Sequence, residues 1–172
     1  MTKSEYPGTA DDAARALREI AHSWADGHRY DPRLLIRAAV EAVVAGVDAP
    51  SLPLLAGLFR GEEAQASELF GRVADELGFG FHPPEDFWDG RLALARWWAG
   101  EIADGWLDPV EGACLIVEQV AEQFGETAEL APMVAQVVAL QDPLAPHAEI
   151  TAAIVRAAHE LLLRIPAPPG RR

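Results

Sequence analysis

The chain has 172 residues, half of them apolar and about a quarter charged, with a formal net charge of −13. That is a globular composition, and no apolar run approaches the ~20 residues that a membrane span needs. Basic charge comes from Lys3 and scattered Arg, with no basic cluster to neutralise phosphates, which argues against nucleic-acid binding.

The opening residues, MTKSEYPGTADDAA, contain no basic-then-apolar run, so no secretory leader is expected. A single cysteine, Cys114, cannot form an intrachain disulfide and suits a reducing compartment, so the expected location is cytoplasmic. Residues 1–12 are expected as a flexible tail. From there Ala13, Leu17, Ile20, Ala21 and Trp24 recur at helical spacing and share one face, with Arg15, Arg18 and Glu19 outside. The corner WADGHRYDP follows. Gly27 can close the helix, Asp31 can accept hydrogen bonds from the next helix's free N–H groups, and Pro32 suits its first position. That second helix, about 32–47, is apolar nearly all round apart from Arg33, Arg37 and Glu41, a pattern that predicts a central position. A short helix over 52–59 and a longer one over 62–77 come next. The longer one turns Ala66, Leu69, Phe70, Val73 and Leu77 inward and stops at Gly78.

Residues 79–90, FGFHPPEDFWDG, read as an ordered connector rich in Gly, Pro and aromatics. Beyond it the chain repeats itself. LARWWAGEIADG matches ALREIAHSWADG at an offset of 78, sharing Arg18 with Arg96 and Ala21 with Ala99. The corner IADGWLDP then recurs one residue shorter. Asp108 and Pro109 open a helix over 109–124 with Ala113, Ile116, Val117, Val120 and Phe124 inward and Glu111, Glu118 and Glu122 outside. VEQV at 117–120 echoes VEAV at 40–43, and RAAHEL at 156–161 resembles RVADEL at 72–77. Further helices are expected over 128–140 and 148–163, separated by Asp142-Pro143 and Pro146, before a flexible tail at 166–172. No alternating run with hairpin signals predicts a strand. The expected fold is therefore all-α: about eight helices in two tandem, diverged repeats, 13–78 and 91–165, packed as one compact bundle-like domain.

The stretches DPRLLIRAAVEAVVAG, LPLLAGL and ARWWAGEIADGWLDPVEGA make the chain similar to a family of small all-helical proteins of high-GC bacteria to which no activity is assigned. The resemblance spans about Ala16 to Asp142 and implies a helical fold and a bacterial origin. Its motifs are structural corners, so it implies no catalytic residue, cofactor or metal.

Catalytic signals are missing from the residues as well. There is no nucleophile elbow, no H-E-x-x-H or C-x-x-C, no two Glu-x-x-His pairs for a di-iron bundle (Glu19–His22 stands alone), and GFGF follows no strand. Cys114 has apolar neighbours and is expected to be buried and inert.

Two functional readings remain. From Trp97 to Val155 there is no Lys or Arg, while ten acids occur. Glu101, Glu111, Glu118 and Glu122, with Trp97 and Trp106, are expected to form an acidic face with an aromatic anchor for a basic protein partner. This describes a non-catalytic interaction module, an immunity- or antitoxin-like inhibitor or an adaptor. The alternative is an enzyme or sensor with a small-molecule or metal pocket at His82, Glu85, Asp86 and Asp89. Glu85 and Asp86 equally suit the first turn of a helix after Pro83-Pro84. The apolar surplus leaves a homodimer open.

Overall fold

A computed structural model describes residues 8–25, 30–59, 61–124, 127–142 and 144–166. Gly27 of the first corner and the outer parts of both tails lie outside the described residues. Among those described, every regular element is helical. The chain divides into two compact units, Met1–Phe81 and His82–Arg172, and the division falls inside the expected connector.

The first unit contains α1 (Ala10–Ala25), α2 (Pro32–Ala45), α3 (Leu52–Ala56) and α4 (Ala66–Glu76), the last entered through a 3-10 turn at Glu63–Gln65. Helix α1 opens within the stretch expected to be a tail because Thr9 and Asp12 cap each other. Thr9 donates from its amide and hydroxyl to Asp12 Oδ2 at 3.0 and 2.7 Å, and the Asp12 amide donates to Thr9 Oγ1 at 3.2 Å. Asp31 Oδ1 accepts from the Arg33 amide at 3.0 Å, with Pro32 at the first position. Gly46, with φ +84°, then stops α2 short of the expected end at residue 47.

Helix α2 packs on α1, α3 and α4, and its Leu35, Ala39 and Ala42 are fully buried beside Leu17, Leu52, Leu55, Phe70 and Val73. Its apolar surplus nevertheless corrects the expectation of a wholly central helix: Leu34, Val40, Val43 and Val44 are exposed. A tertiary cap ties α3 to α4. Ser51 donates from its amide and hydroxyl to the Glu76 carboxylate at 2.8 and 2.6 Å, which sets a negative charge at the start of α3, where unpaired N–H groups favour it.

The second unit contains α5 (Phe87–Ala103), α6 (Pro109–Ile116), a π turn at Val117–Ala121, α7 (Glu122–Phe124), α8 (Ala131–Ala139) and α9 (His147–Arg164). Helix α6, the π turn and α7 run on as one rod, so the described residues form eight helical rods. Helix α5 starts inside the 79–90 stretch because Asp86 Oδ1 accepts from the Trp88 and Asp89 amides at 2.9 and 3.0 Å. It ends where Gly105, at φ +76°, lets the Trp106 amide reach back to the Glu101 carbonyl at 2.8 Å. Asp108 Oδ1 then accepts from the Val110 and Glu111 amides at 2.9 and 3.0 Å, with Pro109 at the first position of α6. The core holds Trp98, Ile116, Leu130, Met133, Ile154 and Leu161.

Both units are wired alike. In the first, α1 packs on α2 and α4, α2 on α3 and α4, and α3 on α4. In the second, α5 packs on α6 and α9, α6 on α8 and α9, and α8 on α9. Arg18 on α1 sets its guanidinium over the Phe79 ring, 5.6 Å from the centroid, just past the end of α4. Its sequence match Arg96 on α5 donates to the carbonyls of Leu162 and Ile165 at the end of α9, the latter at 2.7 Å. The buried positions Leu35, Ala39 and Ala42 of α2 correspond to Gly112, Ile116 and Val120. The last pair is one residue further apart than the first two, and the π turn absorbs the extra residue. The last residues of the VEAV and VEQV runs consequently differ in burial: Val43 is 40% exposed and Val120 fully buried.

Candidate functional site

The rod 109–124 presents Glu111, Glu118 and Glu122 to solvent, and the sequence from Trp97 to Val155 supplies no Lys or Arg to balance them. Seven residues separate Glu111 from Glu118, two turns of an α-helix, which keeps them on one side. The π turn then swings Glu122 by about 100° from where an unbroken helix would carry it, and it still lies exposed.

Cys114 is half-buried one turn before Glu118. Burial and then the Glu118 charge raise its thiol pKa above the ordinary 9.0, which keeps it protonated and a poor nucleophile.

The structure corrects part of the expected surface. Glu101 is buried, 5% exposed, because it sits on the side of α5 that carries Trp98 and Ile102 inward, so it cannot contribute to an accessible acidic face. Trp97 is half-buried, and Trp106 is 38% exposed just past the Gly105 corner. Trp88 and Trp97 are nine residues apart on one helix, about 13 Å along its axis.

A more exposed aromatic pair lies at the start of α5. Phe87 and Trp88 are 56% and 48% exposed, meet edge to face at 5.1 Å, and Arg91 sets its guanidinium 5.4 Å from the Phe87 centroid. The run DFWDG carried the signal. Two adjacent aromatics in the first turn behind a capping Asp cannot both turn inward.

His82, Glu85, Asp86 and Asp89 all lie exposed, and the Asp86 carboxylate is engaged by the α5 cap. Among the described residues no group of three or more His, Cys, Asp or Glu is placed to hold a metal ion. Trp98 is fully buried, and its indole Nε1 has no hydrogen-bond partner among the described residues. Among the described residues no helix is long and apolar enough to cross a membrane.

Comparison with protein-family models, curated proteins and solved structures returned no match for this chain.

Proposed function

We propose that the protein is a non-catalytic interaction module of the bacterial cytoplasm, acting as an immunity- or antitoxin-like inhibitor or an adaptor. In this reading its second unit binds a basic protein partner. The observation that carries it is the exposed row Glu111, Glu118 and Glu122 on a rod whose surroundings in sequence contain no basic residue. Unbalanced carboxylates on a rigid helix speed the approach of a positively charged surface and reject acidic ones. Trp106 and the Phe87–Trp88 pair supply exposed aromatic area of the kind that dominates binding energy in protein interfaces.

The parallel wiring of the two units, with Arg18 and Arg96 at matching ends, supports an ancient tandem duplication. After such a duplication one copy can keep the core pattern while its surface takes on a new charge.

The test is a tagged capture from the native host with stepwise salt elution, comparing the native chain with the triple variant Glu111→Lys, Glu118→Lys, Glu122→Lys. One near-stoichiometric basic protein, released by salt and lost from the variant, is the expected result. Equal capture by both chains would exclude this face.

A further inference from the structure

The outer side of α2 has a pattern that the acidic face does not share. Leu34, Arg37, Glu41 and Val44 follow one another at steps of three, four and three residues, which places them in a single row along the helix. All four are exposed: Leu34 40%, Val44 67%, and the Arg37 and Glu41 side chains 69% and 70%. Val40, 43% exposed, lies beside the row. Arg37 and Glu41 make only a loose pair with each other, at 3.9 Å, which leaves both charges largely in water.

The row reads the same after a half-turn. When a second α2 is laid antiparallel across the first, with the twofold axis midway between residues 37 and 41, Leu34 faces Val44 of the other chain. Arg37 then faces Glu41 of the other chain, and each contact occurs twice. We infer that this face of α2 is a self-association surface whose occupant is a second copy of the same chain, paired antiparallel through two Leu34–Val44 contacts and two Arg37–Glu41 ion pairs. The arrangement is isologous, as a twofold dimer requires.

The matching positions on the second unit are Glu111, Cys114, Glu118 and Glu122, which would set like charges against each other under the same operation. The same operation therefore does not pair the rod 109–124 with a second copy of itself. A contact about 15 Å long buries less than the ~1,200 Å² of a standard interface, so the dimer is weak and concentration-dependent. This inference concerns the first unit and stands apart from the acidic face.

Sedimentation velocity over a concentration series from about 5 to about 500 μM tests it. The native chain should pass from monomer to dimer. Arg37→Glu and Glu41→Arg should each weaken self-association by at least about tenfold, since each sets like charges across the axis. An equimolar mixture of those two variants should recover a heterodimer, because both positions of the all-acidic row then face the all-basic row of the other chain. Val44→Asp should also return the chain to monomer, and far-ultraviolet ellipticity checks that every variant keeps its helices. A native chain that stays monomeric, a dimer indifferent to all three variants, or a mixture that fails to recover association would each overturn the inference.

Discussion

Thr9 and Asp12 close the start of α1 with three hydrogen bonds between them, and this small device makes a testable statement about acid. The Thr9 hydroxyl, and after it the Thr9 backbone amide, hold the Asp12 carboxyl below its ordinary 3.8. A carboxyl whose pKa is lower in the folded state contributes stability above the unfolded pKa and loses it as pH falls through the folded one. The first turn of α1 should therefore fray as pH falls below the ordinary aspartate value, and amide exchange of Ala10 to Leu17 should report it. In Thr9→Ala the hydroxyl is lost while the backbone amide remains, so the turn should fray more at every pH and Asp12 should titrate closer to its ordinary value than in the native chain; a native-like acid profile in that variant would show the hydroxyl to be irrelevant to the cap. Caps of this type are local, and Asp31, Asp108, Gly78 and Gly105 were legible from the order of residues because each acts on amides or carbonyls within a few positions. The Glu76 carboxylate that caps Ser51 was not, since its partner is 25 residues away. Nor was the burial of Glu101, because α5 has apolar residues on most sides and periodicity cannot say which polar position turns inward.

At the scale of helices, how closely two rods approach is set by what lies between them. A Cβ on Gly112 would meet Ile102 at 2.7 Å and Leu107 at 2.8 Å, so glycine is what lets α6 lie against α5 and its corner. Gly112→Ala gains up to about 1 kcal/mol in helix propensity and loses about 1–3 kcal/mol to overpacking, so net destabilisation is expected. Gly100→Ala, in the interior of α5, meets nothing within 4 Å and should instead stabilise by about 0.5–1 kcal/mol. Urea denaturation of the two variants separates the contributions, and a shared sign would refute the packing account. The helices themselves were readable, eight rods near their expected places, because amphipathic spacing and stop signals are written in consecutive residues. The outer face of α2 was misread for a reason in the same physics: an apolar side chain records a tendency to be covered, and the covering surface need not belong to the same chain. The π turn was unreadable because a search at 3.6 residues per turn assumes the very regularity that the turn breaks.

For the whole molecule, the chain divides into two units between Phe81 and His82, and the helix contacts within each unit follow the same scheme. The functional surface was only partly legible. Charge could be counted from composition, which located Glu111, Glu118 and Glu122, whereas which tryptophan reaches solvent depends on helix phase and on the exact start of α5. That same issue of phase has a consequence at the level of the gene. In the second half the corner is one residue shorter than in the first, and the π turn later returns that residue. The helix thus carries a spare codon. Removing the one for Gln119 would let an ordinary α-helix form through the π turn while Val120 and Ala121 keep their direction into the core. Such a chain should fold, with a melting temperature within a few degrees of the native one, whereas the same deletion in α2, at Ala38, should prevent folding by rotating Ala39 and Ala42 out of register.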